Sequence, residues 1–126
     1  MHIFDSHFHI FDPRFPLQPN NGYLPNHFTI EDYKTCLQPY DLVGGVIVAA
    51  SFQPENELPL KVALRKLGPS YAGITQLSDD ISEKAVLDLH ASGFRGIRFN
   101  LYRSKEKMRD IRKLARKVYN LSLIHI

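Results

Sequence analysis

Cysteine and long apolar segments are scarce in this 126-residue chain. Cys36 is the only cysteine, so no internal disulfide can form, and we expect it to be a small buried residue of a helix. No apolar run has the length of a membrane span, and none has the character of a secretory signal. These absences predict a cytoplasmic protein with no membrane partner.

Charge of one sign is also modest, with a formal net charge of +3. The excess lies mostly within residues 95–117, where Arg and Lys outnumber Glu106 and Asp110. Aromatic residues are not interleaved with these cations, and no nucleic-acid-binding motif is present, so the basic residues are typical of a solvated helix face. We therefore expect no nucleic-acid partner. A hydrophobic content of 44% is enough for one globular core.

Two histidines stand close to the start of the chain, in Asp5-Ser6-His7-Phe8-His9. The spacing of two residues in a β-like run places His7 and His9 on one face of a strand, with Asp5 expected on the same face and Phe8 on the opposite one. An inward-facing polar row needs partners, because an unpaired buried polar group costs about 1–3 kcal/mol. The pair is either part of a functional site or a pair of histidines on a wet edge strand, and these residues alone leave both open.

Apolar patterns and capping signals alternate regularly along the chain. They predict strands over 2–11, 45–51, 71–76, 96–100 and 121–126, and helices over 29–38, 57–67, 82–93 and 105–119. Strict β/α alternation predicts an α/β fold with a parallel sheet and right-handed crossovers. For the last six residues, which include His125, a fifth strand and a foreign tail are equally compatible with the sequence.

The polar residues that end the predicted strands distinguish a barrel from an open sheet. No Gly-rich phosphate turn follows the first strand, whereas His7, His9, Ser51, Gln76 and Arg98 fall at carboxyl ends of strands, as a (β/α)8 barrel requires. A closed barrel takes about 250 residues. We therefore expect residues 1–126 to form a partial domain, the N-terminal four to five β/α units of a barrel truncated at its C-terminus.

Several segments together resemble a known family. They are residues 5–13, 15–16, 23–25, 29–33 and 93–100. In this order they resemble the amidohydrolase-related (β/α)8-barrel (TIM-barrel) hydrolases, and in particular their 2-pyrone-4,6-dicarboxylate lactonase-like branch. The resemblance covers nearly all of this chain and the N-terminal half of such a protein.

The resemblance implies roles for six residues. His7 and His9 match the catalytic histidine pair, which would bind a divalent, zinc-like metal if the protein is metal-dependent. Tyr23, Ser51, Arg98 and, by approximate spacing, Arg103 match substrate-binding positions. The cofactor is therefore either none or a divalent metal, and the partner is a small carboxylate or lactone substrate; the oligomeric state stays open.

Three functions remain compatible with these residues. The first is a lactonase-like hydrolase that acts on a small carboxylated lactone or related cyclic ester, because paired imidazoles and arginines suit ester hydrolysis and carboxylate binding. The second is a metal-dependent amidohydrolase or decarboxylase of the same superfamily. The third is a non-catalytic fragment. A half-barrel leaves sheet edges uncovered, so we expect this polypeptide alone to be inactive and poorly soluble.

Overall fold

A computed structural model of the chain describes residues 1–54, 56–99, 111–120 and 124–125. Its elements are β1 (His2–Phe8), α1 (Ile30–Leu37), β2 (Asp41–Val48), α2 (Leu58–Leu67), β3 (Tyr71–Thr75), α3 (Glu83–Ala91), β4 (Phe94–Ile97), α4 (Ile111–Asn120) and β5 (Ile124–His125). All neighbouring strands pair in parallel, in the order β1-β2-β3-β4-β5. A doubly wound sheet would reverse its strand order at a switch point. The uninterrupted order therefore confirms the predicted barrel-type winding.

The first three helices start where the sequence predicts. At α1, Thr29 Oγ1 accepts from the Asp32 amide at 3.1 Å, and the Asp32 carboxylate accepts from the Thr29 amide at 2.8 Å, which completes a capping box. The prediction that Cys36 is buried is wrong, because Leu37, one turn after the buried Tyr33, takes the inward position and leaves Cys36 exposed. None of the helices in the described segments is long and apolar enough to cross a membrane.

The core lies between the sheet and its helices. Its largest fully buried side chains are Phe94, Ile47, Leu60, Leu89, Ile97, Leu114, Val86 and Val118. Phe94, at the start of β4, has room because Gly73 faces it from β3. A Cβ atom on Gly73 would lie 2.9 Å from Phe94 Cδ1 and 2.8 Å from Leu64 Cδ1. This packing fixes β3 and β4 against α2 and so sets where their carboxyl ends lie.

Strand β1 departs from the alternation that the sequence predicts. Asp5 pairs with Gly45 and Phe8 with Ile47, so β1 advances three residues while β2 advances two, as in a β-bulge. The Asp5 carboxylate accepts a hydrogen bond from the Tyr33 hydroxyl at 3.2 Å. The Phe8 ring stacks on the ring of Tyr33 at 4.1 Å. Asp5 and Phe8 therefore both face α1, and the expectation that Asp5 shares the histidine face is wrong.

Candidate active site

The carboxyl end of β2 anchors side chains from two other strands. Nδ1 of His9, just after β1, lies 2.7 Å from the Val48 carbonyl oxygen. Nη1 of Arg98, just after β4, donates to the Ala49 carbonyl oxygen at 2.7 Å. Because Val48 and Ala49 are consecutive, the imidazole and the guanidinium are held at neighbouring points of one backbone segment. The structure thus brings together two of the predicted site residues that are 89 positions apart in the sequence.

The two histidines lie side by side. The ring centroids of His7 and His9 are 5.1 Å apart, and the rings meet edge to face. A carbonyl oxygen can only accept, so His9 Nδ1 is the protonated nitrogen and Nε2 carries the lone pair when the ring is neutral. Burial lowers the pKa of His9 below 6.5; the Val48 hydrogen bond opposes this, and the charges of His7 and Arg98 lower the pKa further. The neutral ring is therefore the prevailing form at pH 7.

This lowered pKa predicts a loss of stability on mild acidification. Below about pH 6.5 the unfolded chain binds a proton at His9 that the folded chain resists, so the free energy of unfolding should fall as the pH drops through 6.5 towards the lower folded-state pKa. Urea titrations of chelator-treated protein at pH 7.5 and 5.5 measure this loss. His9→Gln removes the titrating group and should reduce the loss; an equal loss in this variant would contradict the assignment.

Two glutamine side chains hydrogen-bond to the backbone of Ala50, just after β2. The Gln53 amide is buried, accepts from the Ala50 backbone amide at 2.8 Å and donates to the Ile10 carbonyl at 3.1 Å. Gln76 Nε2, just after β3, donates to the Ala50 carbonyl at 3.3 Å. Gln76 stood among the strand-end residues in the sequence, but neither glutamine was predicted as a site residue. The Gln53 contact with Ala50 is local, but the contact with Ile10, which connects this turn to the end of β1, spans 43 positions and has no local signal.

The structure places Tyr23 at the margin of this site. Its side chain is 61% exposed, and its ring meets the Phe52 ring edge-on at 5.6 Å. Phe52 in turn meets Phe11 at 6.2 Å, and Phe11 stacks near His9 at 6.0 Å. The backbone amide of Gln18 donates to the Phe52 carbonyl at 2.7 Å, which connects the loop that carries Tyr23 to the turn after β2. A wall of aromatic rings thus extends from His9 to Tyr23.

The remaining predicted site residues are placed less directly. Ser51 is half-buried in the turn that follows Ala50, immediately after the carbonyls that anchor His9 and Arg98. Arg103 lies outside the described residues, as does the side chain of His125. The roles implied for these residues therefore stay predictions. The structure places five of them near one end of the sheet, namely His7, His9, Tyr23, Ser51 and Arg98.

The two histidines supply part of the donor set that a divalent metal needs. Metal-bound histidines commonly donate their second ring N–H to a backbone carbonyl, as His9 does to Val48, which leaves Nε2 for a metal. His7 is close enough to supply a second imidazole. Within the part of the chain that the structure describes, no group of three or more His, Cys, Asp or Glu is arranged for a metal ion. His7 and His9 thus fit as two ligands of a larger set.

Known proteins resemble this chain over most of its length. A curated 2-pyrone-4,6-dicarboxylate hydrolase from Comamonas testosteroni is 26% identical over 98 residues, which are 76% of this chain and 32% of that protein. A solved structure of a probable 2-pyrone-4,6-dicarboxylic acid hydrolase from Acinetobacter baumannii, with citric acid bound, superposes with a TM-score of 0.84 at 23% identity. It is matched over 99% of this chain and 48% of its own.

A second solved structure, an apo protein from Agrobacterium tumefaciens, superposes with a TM-score of 0.83 at 17% identity, over 97% of this chain and 46% of its own. The chain therefore spans about a third of the curated relative and about half of the solved ones. Its fold is that of a partial (β/α)8 barrel. The amidohydrolase family model matches residues 4–121, and the chain belongs to the amidohydrolase family.

Proposed function

We propose that this chain is the N-terminal half of a barrel hydrolase that opens a small carboxylated lactone or related cyclic ester. The observation that carries the proposal is the anchoring of Arg98 and His9 on the consecutive carbonyls of Ala49 and Val48. A guanidinium beside a neutral imidazole makes a site that attracts an anion and can also exchange a proton. The curated relative, named for the hydrolysis of a pyrone dicarboxylate, supports a substrate of this class.

Arg98 is suited to hold a substrate carboxylate. Its guanidinium has five N–H donors, and Nη1 is oriented by the Ala49 carbonyl, so the planar group is fixed before the substrate arrives. Paired N–H donors bind both oxygens of a carboxylate, which a lysine ammonium cannot do with the same geometry.

The histidines are suited to act at the ester carbonyl. Attack by water forms a carbon–oxygen bond and then breaks the ring ester bond, and the proton lost by water is finally taken up by the released ring oxygen or the solvent. The Nε2 lone pair of neutral His9 can accept that proton, and an N–H of the His7 ring can stabilise the oxyanion by donating a hydrogen bond. The edge-to-face rings of Tyr23 and Phe52 offer an apolar wall for the ring of the substrate.

A metal-dependent amidohydrolase or decarboxylase of the same superfamily is the second candidate. The observation that favours it is that the Val48 hydrogen bond uses Nδ1 of His9, so Nε2 keeps the lone pair that a metal needs, with the His7 ring beside it. When bound, a divalent metal would polarise the substrate carbonyl and lower the pKa of a water molecule. His7 and His9 would supply two of its ligands.

The test begins by sequencing the gene through and beyond the codon for Ile126. The 126-residue chain and the product of any continued frame are then purified, and loss of the pyrone absorbance of 2-pyrone-4,6-dicarboxylate is followed. We expect the longer product to hydrolyse this substrate and the 126-residue chain to be inactive, because later strands would complete the site. Turnover by the shorter chain would refute the half-barrel proposal; no turnover by the longer one would refute the lactonase assignment.

Two controls separate the candidate functions. Unsubstituted 2-pyrone lacks the carboxylates, and its poor turnover would show that they are recognised. Dialysis against a chelator should leave a metal-independent lactonase largely active and abolish the activity of a metal-dependent enzyme, with recovery on adding Zn²⁺.

A further inference from the structure

The bulge in β1 determines the direction in which the histidine pair faces. Between the paired positions Asp5–Gly45 and Phe8–Ile47, β1 holds one residue more than β2. Such an extra residue leaves one backbone group without a ladder partner and re-aims the neighbouring side chains. His7 lies inside this segment, so its orientation depends on how the bulge is held.

The Asp5 side chain holds the bulge from both sides. One carboxylate oxygen accepts from the His7 backbone amide at 3.2 Å, which replaces a strand–strand hydrogen bond. The other accepts from the Tyr33 hydroxyl at 3.2 Å. Tyr33 is only 3% exposed, and its ring stacks on Phe8, the residue that closes the bulge. Helix α1 is thereby connected to the backbone of His7 through a single carboxylate.

The protonation state of the Tyr33 phenol favours this arrangement. Burial raises the pKa of Tyr33, and the neighbouring Asp5 carboxylate raises it further, so the phenol stays protonated and donates. A hydrogen bond to an ionised acceptor is about twice as strong as one between neutral groups. Gly45 allows the strands this close, since a Cβ atom there would lie 2.6 Å from the Asp5 carbonyl oxygen.

We propose that Asp5 is a positioning residue, which, together with Tyr33, fixes the β1 bulge so that the His7 imidazole lies against His9. Asp5 touches no reacting atom in this assignment, because its carboxylate faces α1 rather than the histidines' rings. The inference deepens the proposed function, on which the catalytic use of the pair rests. The geometry of the pair can be measured without any substrate.

The test compares the 126-residue chain with Asp5→Ala, Asp5→Asn and Tyr33→Phe by NMR. The readout is the nuclear Overhauser contact between the His7 and His9 rings, with the nitrogen shifts that report the His9 tautomer. Asp41→Ala is the matched control, since its carboxylate pairs with His2 at the other end of the same two strands. Amide spectra show which variants remain folded.

We expect Asp5→Ala to lose the contact between the two rings, and Asp5→Asn to retain most of it because the amide oxygen can still accept from the His7 N–H. Tyr33→Phe, which keeps the stacking on Phe8, should weaken the contact, and Asp41→Ala should leave it unchanged.

Should Asp5→Ala fail to fold, loss of the contact in folded Tyr33→Phe still supports the proposal. An unchanged contact in folded Asp5→Ala, or in folded Tyr33→Phe when Asp5→Ala is unfolded, overturns it. Binding of 2-pyrone-4,6-dicarboxylate to the unmodified chain is measured separately. Absence of binding would count against the proposed function, whereas the contact between the rings tests only the role of Asp5.

Discussion

Replacing Arg98 with alanine should weaken the affinity for 2-pyrone-4,6-dicarboxylate by about 10- to 100-fold. The physical reason is the loss of the charge-assisted hydrogen bonding to a carboxylate, for which we take a net loss of about 1.5–3 kcal/mol. Arg98→Lys keeps the charge but not the paired donors, so we expect it to recover only part of the affinity. A chemical-shift titration of the 126-residue chain with the dicarboxylate measures all three dissociation constants.

The matched control for this experiment is Arg95, which lies on β4 three residues before Arg98. Its Nη1 donates to the His90 and Phe94 carbonyls at the opposite end of the strand, so Arg95→Ala should leave the dissociation constant unchanged. The effect of Arg98→Ala should also vanish for unsubstituted 2-pyrone. Equal losses in the two arginine variants would show that general charge, and not a carboxylate site, is responsible.

Replacing Phe94 with alanine should lower the free energy of unfolding by about 3–5 kcal/mol. The Phe94 side chain is completely buried, and Gly73 leaves the space that it fills, so truncation would create a cavity beside Leu64. A loss of this size is a large fraction of the roughly 5–15 kcal/mol by which a domain is stable. Urea unfolding followed by circular dichroism measures it.

Phe4 provides the comparison for this substitution within the same chain. It is also a phenylalanine on a strand, but its side chain is 55% exposed, so Phe4→Ala should cost about 0.5 kcal/mol or less. If Phe94→Ala were as mild as Phe4→Ala, the packing of β4 against β3 and α2 would differ from that described. Because Arg98 directly follows β4, Phe94→Ala should also broaden the amide signals near the site.

Much of the fold could be predicted from local sequence patterns. The capping box of Thr29 and Asp32 needs only neighbouring residues, and the continuous apolar run before Ser51 is typical of a parallel strand buried on both faces. Element bounds differ from the prediction: the strand predicted over 45–51 begins at Asp41 and ends at Val48. The predicted start of the last helix at residue 105 lies outside the described residues.

The site could be predicted only in part. The spacing of His7 and His9 is a two-residue pattern. Arg98 was placed within a strand predicted over 96–100, whereas in the structure that strand ends at Ile97, just before Arg98. The face of Asp5 was predicted wrongly, because strict alternation assumes a regular strand and the bulge adds a residue. The contact between the Asp5 carboxylate and the His7 amide is local, but the Tyr33 hydroxyl that orients this carboxylate is 28 positions away.

The sequence by itself determined the β/α order, the helix starts and the pair of histidines, since each depends on side chains within a few positions of one another. Only the tertiary structure decided how these residues meet. His9 finds the Val48 carbonyl 39 positions away, and Arg98 finds the Ala49 carbonyl 49 positions away. Both contacts depend on strand register and core packing, which are properties of the whole sheet.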